Sequence, residues 1–215
     1  MEINVNEYLQ LLMEENKRHN LVSRQTTKTD LEYHVRDSLQ ILQWYHLSGQ
    51  RVIDIGTGAG FPGLVLALAE PDCLMTLVEA DMKKSRFLQH VVENLQLSNV
   101  KVIRDRVESL GRDKNYQEEY DLCTSRAVAS MRIMLEYGIP LIKVGGRLLL
   151  WKGSHFRSEI DEAEQALHML GGCLEEFRQY NLIHEWDRAI VVVRKLYPTP
   201  PQYPRKVGTP SKRPL

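Results

Sequence analysis

The sequence predicts an α/β protein with a doubly wound, Rossmann-like sheet and an N-terminal helical extension. Short apolar and β-branched runs alternate with helix-like stretches of ~10–15 residues, an order typical of a parallel sheet covered on both faces. A glycine-rich turn follows the first of these runs. The chain has 215 residues, of which 43% are hydrophobic and 26% charged, and these proportions are ordinary for one sizeable folded domain.

The extension is predicted to cover residues 1–48. Two patterns typical of helix N-termini, beginning at Asn4 and Thr29, each precede apolar residues at helical spacing. Gly49 ends this segment, so the sheet domain is predicted to span residues 49–197.

Six short runs are predicted to be the strands of this domain. They are residues 51–55, 74–78, 100–103, 120–124, 147–151 and 190–194. Four helix-like stretches lie between them, at residues 62–70, 81–97, 131–144 and 158–170. The alternation predicts a parallel sheet that the last run closes.

The C-terminal segment, residues 198–215, is predicted to be an extended basic tail without helix. It holds six of the nine prolines, which remove backbone donors and fix φ. From Arg188 onward there are 7 basic residues and no acids, whereas residues 1–187 carry the other 21 basic residues and all 28 acids. The net charge of zero therefore allows a polyanionic partner at this end of the chain.

Cysteine spacing and apolar run length exclude several classes of protein. Cys73, Cys123 and Cys173 form no CxxC pair, which disfavours a disulfide framework or a zinc site, so we expect no metal. The longest wholly apolar run has 7 residues, far fewer than the ~18 that span a bilayer. The N-terminus has no basic patch followed by an apolar stretch. We expect a cytoplasmic protein that does not contact a membrane.

Residues 54–63 read Asp-Ile-Gly-Thr-Gly-Ala-Gly-Phe-Pro-Gly and join the first strand to the first helix. Glycines are needed where the backbone turns sharply and a ligand approaches within contact distance. The frame beginning at Gly56 follows the strand directly and resembles the turn of S-adenosylmethionine-dependent methyltransferases. The frame beginning at Gly58 matches a dinucleotide fingerprint less well, because it starts three residues beyond the strand and contains a proline.

The residues at the end of the fourth strand exclude some classes of methyl-transfer reaction. Residues 123–127 read Cys-Thr-Ser-Arg-Ala and lack the proline pair that exocyclic-amine methyltransferases carry here. Cys123 falls in a predicted buried strand, which disfavours it as a nucleophile. A ring nitrogen such as guanine N7 has no proton to lose and needs no general base. Catalysis would then consist of positioning and electrostatics, with no catalytic acid or base.

Motifs along nearly the whole chain resemble one family. Gly-Phe-Pro-Gly, Lys-Lys-Ser-Arg-Phe-Leu, Arg-Val-Glu, Thr-Ser-Arg-Ala and Trp-Lys-Gly occur in order, at residues 60–63, 83–88, 106–108, 124–127 and 151–153. Together they resemble the bacterial small-subunit ribosomal RNA guanine-N7 methyltransferases, also called the glucose-inhibited division protein B family. The resemblance implies methyl transfer from S-adenosylmethionine to guanine N7 of 16S ribosomal RNA, in the small subunit or a precursor. No obligate protein partner is evident, and the basic tail would contact RNA phosphates.

The resemblance also implies six cofactor-binding residues: Gly56, Phe61, Glu79, Val107, Glu108 and Arg126. The first two would line the methionine and sulfonium end of the pocket, and the acid after the second strand would hold the ribose. The pair after the third strand would meet the adenine. The arginine at the end of the fourth strand would face the reacting centre and contact cofactor or guanine.

Each assignment has a structural alternative. Instead of lining the pocket, Phe61 could simply pack in the core. Glu108 could be a solvated acid at the start of a helix. Arg126 could form a surface ion pair with Asp121 or Glu79. His34, Asp37 and Lys152 are expected to shape the RNA-facing side.

Two other functions stay open at the level of sequence. One is an S-adenosylmethionine-dependent methyltransferase of a small molecule, against which the basic tail argues. The other is a nicotinamide-dependent oxidoreductase, which would bind a dinucleotide. A noncatalytic RNA-binding role is a weaker third.

Overall fold

The computed structural model describes residues 2–182 and 188–215 of the chain. The strands are β1 (Arg51–Ile55), β2 (Leu74–Val78), β3 (Val100–Ile103), β4 (Tyr120–Arg126), β5 (Ile142–Lys152), β6 (Gly172–Tyr180) and β7 (Arg188–Lys195). The helices are α1 (Glu2–Asn16), α2 (Lys28–Leu39), α3 (Gly63–Ala69), α4 (Met82–Asn94), α5 (Val107–Leu110), α6 (Met131–Gly138), α7 (Phe156–Glu162), α8 (Glu164–Leu170) and α9 (Thr209–Lys212). Turns of 3-10 helix cover Gln40–Gln43 and Ile139–Leu141.

The strands form one mixed sheet in the order β3-β2-β1-β4-β5-β7-β6. The pairs from β3 to β5 are parallel, as predicted, and β1, β2 and β3 have the predicted bounds. Two apolar clusters of buried side chains cover the two faces. The predicted fold class, a doubly wound α/β sheet with an N-terminal helical extension, is confirmed.

The far side of the sheet differs from the prediction. β7 runs antiparallel to both β5 and β6, so the expectation of a wholly parallel sheet is wrong. β6 was not predicted, because this edge strand is polar and only half-buried, without the β-branched run typical of an inner strand. The helix predicted at residues 131–144 ends at Gly138, where Pro140 follows and the chain turns into β5.

The N-terminal helices pack on the same core as the sheet. Tyr8, Leu12 and Leu31 are buried in one cluster with apolar side chains of α3 and α4. Residues 1–48, 49–197 and 198–215 as separate segments stay a prediction. Residue 1 and residues 183–187, which fall within the first two, lie outside the described residues.

Both helices begin earlier than predicted. Asn4 lies inside α1, which already begins at Glu2. Thr27, not Thr29, caps α2: its side chain accepts from the Asp30 N–H, and the Asp30 carboxylate accepts from the Thr27 N–H. The reciprocal pattern is the same as predicted, two positions earlier.

The tail folds back onto the domain, so its prediction as an extended segment without helix is wrong. It contains the short helix α9, whose proline occupies the first turn, where a missing N–H costs nothing. Tyr203 and Pro210 are buried. No helix within the described residues is long and apolar enough to cross a membrane.

Substitution of Leu12 tests whether α1 belongs to the cooperative core. Leu12 is wholly buried, so Leu12→Ala should lower the free energy of unfolding by about 2–5 kcal/mol. Its exposed neighbour Met13 provides the control, and Met13→Ala should change stability by less than about 0.5 kcal/mol. Urea titration followed by far-UV circular dichroism measures both. Equal curves for the two variants would show that α1 is not part of the core.

Candidate active site

A cavity of about 640 Å³ lies at the edge of the sheet where the parallel strands end. Its lining comes from the segments at the ends of β1, β2, β3 and β4, together with His34 of α2 and Ser211 of α9. The strand order places it where the winding of the sheet reverses between β1 and β4, the usual ligand position in open α/β sheets. Sites for small molecules typically measure ~300–1,000 Å³.

All six residues predicted to bind the cofactor line this one cavity. They are Gly56, Phe61, Glu79, Val107, Glu108 and Arg126. The fold therefore brings together residues from the ends of four different strands. Their individual roles stay predictions.

A buried carboxylate, that of Asp54, fixes the loop between β1 and α3. Its Oδ2 accepts a hydrogen bond from the Gly63 N–H at 3.0 Å, and its Oδ1 accepts one from Thr124 Oγ1 at 2.7 Å. A Cβ at Gly63 would lie 2.5 Å from the Cβ of Asp54, so this approach requires glycine. Burial raises the pKa of Asp54 to about 6, in opposition to its hydrogen bonds.

The glycines of this loop adopt a left-handed backbone that places amide groups at the cavity. Gly56 has φ +67° and Gly58 has φ +61°. A Cβ at Gly56 would lie 2.5 Å from Cγ2 of Val128, whereas a Cβ at Gly58 would meet no atom within 4 Å. The chain passes the cavity here without a side chain, as close approach of a ligand requires.

Glu79 is held in a fixed position at the end of β2. Its Oε2 accepts the Gly58 N–H at 2.9 Å and its Oε1 accepts the Asp81 N–H at 2.8 Å. An ionised carboxylate oxygen accepts more than one hydrogen bond. Glu79 can therefore bind two hydroxyls while it holds the glycine loop.

Glu108 brings a buried carboxylate to the other end of the cavity. Its Oε1 accepts the Gly208 N–H at 2.9 Å and the Tyr137 hydroxyl at 3.2 Å. Its Oε2 is buried and has no hydrogen-bond partner. Burial raises the pKa of Glu108, but the backbone hydrogen bond from Gly208 and the charge of Arg106 outweigh it and lower the pKa overall. The solvated helix-start alternative for Glu108 is therefore wrong.

Arg126 and His34 both lie against the ring of Phe61 beside the glycine loop, and the two rings are tilted by 55°. The guanidinium carbon of Arg126 lies 5.1 Å from the centroid of the Phe61 ring, and the His34 ring lies 5.4 Å from it on centroids. Phe61 also belongs to the apolar core, so cavity lining and core packing coexist. Burial, then the charge of Arg126, lower the pKa of His34, which favours its neutral form.

Asp37 connects this group of side chains to the rest of the sheet. It is buried, and its carboxylate accepts Nη1 of Arg126 at 2.8 Å and the Tyr180 hydroxyl at 2.7 Å. Its backbone oxygen accepts Nε1 of Trp151 at 2.8 Å. Partners from β4, β5 and β6 enclose Asp37, and its expected part in shaping the RNA-facing side stays a prediction.

The alternative for Arg126 is corrected by the same contacts. The Arg126 side chain is only 10% exposed and pairs with Asp37, so the surface ion pair with Asp121 or Glu79 is wrong. Lys152 is buried, and its Nζ donates to Glu159 Oε2 at 2.7 Å. The one sign of this burial in the sequence is the apolar strand run that directly precedes Lys152. The expected part of Lys152 in shaping the RNA-facing side stays a prediction.

Comparison with known proteins decides the family. The sequence model described as rRNA small subunit methyltransferase G matches residues 1–190. A ribosomal RNA small subunit methyltransferase G of Syntrophomonas wolfei subsp. wolfei is 50% identical over 215 residues, which is 100% of both chains. The chain belongs to this family. The predicted family and the methyltransferase class are thereby confirmed.

A second relative agrees with this assignment, and two solved structures share the fold. The protein of the same name from Chloroflexus aggregans is 41% identical over 97% of this chain and 87% of its own. TYW2 of M. jannaschii, solved in complex with AdoMet, has TM-score 0.62 at 14% identity, covering 80% of this chain and 78% of that one. Geranyl diphosphate C-methyltransferase of Streptomyces coelicolor has TM-score 0.59 at 10% identity, covering 82% and 87%. These structural likenesses support the fold.

The cavity fits S-adenosylmethionine, the predicted methyl donor. The open space at Gly58 admits a ligand against the backbone, and Glu79 offers acceptors for a pair of hydroxyls. The unpartnered Oε2 of Glu108 offers an acceptor for an amino group. No cluster of three or more His, Cys, Asp or Glu side chains suited to a metal occurs among the described residues.

Gly56→Ala tests the glycine loop. The new Cβ at φ +67° would displace Val128, which lines the cavity, so affinity for S-adenosylmethionine should fall at least about tenfold, as measured by calorimetry. Gly49→Ala is the matched control, because Gly49 has φ +73° but a Cβ there meets no atom within 4 Å. Gly49→Ala introduces the same kind of backbone strain away from the cavity, so it should leave the affinity for S-adenosylmethionine unchanged. An equal change in both variants would contradict a local effect on the cavity.

Asp54→Asn tests the cost of the buried carboxylate. With a pKa raised from 3.8 to about 6, the folded state binds this proton more tightly than the unfolded state. Ionisation of Asp54 therefore lowers the free energy of unfolding as pH rises from about 4 to 7, by about 2–3 kcal/mol. The variant lacks this loss, so its stability should fall less across that range, as measured by urea titration at several pH values. Asp72 is exposed, so the stability of Asp72→Asn should change with pH as that of the wild type does. If the stability of Asp54→Asn also followed the wild type, the destabilising role of the Asp54 carboxylate would be refuted.

Proposed function

We propose that this enzyme transfers the methyl group of S-adenosylmethionine to N7 of a guanine in 16S ribosomal RNA. The substrate is the small subunit or one of its precursors, and the enzyme acts in the cytoplasm. The observation that carries the proposal is that the six residues of the resemblance line one cavity in a chain of the rRNA small subunit methyltransferase G family. S-Adenosylmethionine, when bound, supplies an electrophilic methyl group on a sulfonium.

Glu79 and Glu108 would hold the donor at its ribose and at its adenine. Glu79 accepts the ribose hydroxyls while the Gly58 and Asp81 amides prevent its carboxylate from rotating. Glu108 accepts the adenine amino group through Oε2, the oxygen that lacks a partner. Bringing two fixed carboxylates to one cavity orients the donor before the RNA arrives.

Phe61 and Arg126 position the reacting end. The ion pair with Asp37 and the hydrogen bond to the His34 oxygen at 3.3 Å hold the guanidinium over the Phe61 ring. A guanidinium keeps its protons in proteins, so Arg126 orients groups and does not act as a base. Guanine N7 would form a bond to the methyl carbon with its free lone pair as the carbon–sulfur bond breaks and S-adenosylhomocysteine leaves. The positive charge then passes from sulfur to the base, and no proton transfer is required at N7.

Basic side chains line the cavity that the RNA would approach. Lys84 and Arg106 line the cavity, and the Arg106 side chain is about half exposed. Cations at the cavity suit the phosphates that flank a target guanine. Single-stranded RNA presents such a base more readily than a helix does.

A labelling experiment tests the function. Purified enzyme is incubated with radiolabelled S-adenosylmethionine and small subunits from cells that lack the gene, and labelled nucleosides are mapped. We expect label in N7-methylguanosine at one position of 16S ribosomal RNA, and at least about fivefold less label with Gly56→Ala at donor concentrations near the wild-type Kd. Naked RNA and precursor particles identify the assembly stage.

Two outcomes would contradict the proposal. Label in another nucleoside would retain the donor and refute the guanine N7 assignment. Donor binding without label on any of these RNA substrates would favour a small-molecule acceptor.

A further inference from the structure

The C-terminal segment of residues 203–213 has a position that the sequence analysis did not foresee. We propose that this segment, called here the C-terminal wall, closes the adenine end of the methyl-donor site and sets donor affinity, instead of serving as an arm for RNA. The inference rests on the proposed function, because it assigns a part of the same cavity. Four sets of contacts support it.

An ion pair anchors the C-terminal wall to the core. Glu136 of α6 is fully buried, and its carboxylate accepts Nη2 of Arg205 at 2.6 Å and Nε at 2.9 Å. The backbone N–H of Arg205 donates to the same carboxylate at 2.7 Å. A two-pronged pair with a buried partner fixes geometry as well as position.

Packing holds the two residues that precede this anchor. Tyr203 is buried in the apolar cluster beneath α6, and the backbone oxygen of Pro204 accepts Nη1 of Arg112 at 3.0 Å. A Cβ at Gly111 would lie 2.7 Å from Cγ of Pro204, so the wall lies directly on the chain that follows α5. Exposed flexible arms do not pack this closely.

The wall touches the carboxylate assigned to adenine. The Gly208 N–H donates to Oε1 of Glu108 at 2.9 Å, which leaves Oε2 as the unpartnered oxygen. Gly208 has φ +78°, a left-handed backbone conformation that is strained for residues with a side chain. Ser211 then lines the cavity itself. The wall therefore both orients Glu108 and supplies part of the surface.

The charges of the segment agree with this role. Arg205, the residue that a phosphate-binding arm would offer first, is committed to Glu136, and its Nη2 also donates to the Arg213 oxygen at 2.8 Å. Lys206 and Lys212 are exposed and lie outside the cavity lining. These two lysines allow the RNA role of the tail to be tested separately.

Ser211→Trp is the central test, with Lys212→Trp as its matched control. Both positions are exposed on α9, so both variants should fold, but only the first places a ring in the cavity. We expect Ser211→Trp to weaken S-adenosylhomocysteine binding in calorimetry by at least about tenfold, and Lys212→Trp to leave it unchanged. Equal affinities in the two variants would overturn the inference.

A truncation tests the orientation of Glu108. A chain that ends at Lys206 keeps the pair between Arg205 and Glu136 but loses the Gly208 N–H and Ser211. Loss of a hydrogen bond to a charged group should weaken donor binding by roughly ten- to hundredfold. Retained affinity in this folded chain, checked by circular dichroism, would overturn the inference.

The unmodified protein gives an independent readout. If the wall closes over the donor, binding and wall closure are reciprocally coupled, and S-adenosylhomocysteine should slow trypsin cleavage after Lys206 and Lys212. Unchanged cleavage at saturating ligand would count against the wall.

The RNA-arm alternative makes the opposite forecast. Lys206→Ala with Lys212→Ala would then reduce affinity for small subunits and leave donor binding intact, while Ser211→Trp would have no effect on donor binding. Wild-type protein that binds donor but methylates no RNA would refute the proposed function and leave the wall in place. Wild-type protein that binds no donor would refute both.

Discussion

The carboxylate of Asp54 is the constraint on which the donor site depends. It is wholly buried and holds three parts of the chain together: the end of β1, Thr124 of β4, and the start of α3 through Gly63. The glycine loop runs between two of these points, so its left-handed turns and the amide that meets Glu79 follow from where Asp54 fixes them. Burial of a charge is costly, and the raised pKa of Asp54 measures that cost. The site is thus built around a group that weakens the fold when ionised.

A second buried carboxylate, that of Asp37, gives the N-terminal helices a part in the active site. Its partners are Arg126, Tyr180 and, through the backbone, Trp151, which belong to three strands. Because an unpaired buried charge costs several kcal/mol, these groups are strongly constrained to stay together. The guanidinium over Phe61 is therefore oriented by α2, so the helical extension helps to shape the cavity as well as covering the core.

Local patterns predicted the half of the molecule that holds the donor. Strands β1, β2 and β3 are short, apolar and bounded by turns, and a parallel sheet brings their carboxyl ends to one edge, so residues as distant as Gly56 and Glu108 could be assigned to one site. The missed features depend on contacts far apart in sequence. β6 is a polar edge strand, and Asp37 and the C-terminal wall are fixed by partners about a hundred residues away, which no local periodicity records. Its prolines and basic residues made this segment look like an extended arm for RNA phosphates.

The cavity lining joins distant parts of the chain: His34 lies in α2 and Ser211 in α9. A ligand in the cavity contacts surfaces contributed by both, so neither segment can detach fully without vacating the site. Ligand at a hundred times its Kd adds about 2.7 kcal/mol to the free energy of unfolding, and here that gain is shared by segments that would otherwise open first. Proteases attack such opened segments, so cellular turnover of this enzyme becomes linked to the supply of its own methyl donor.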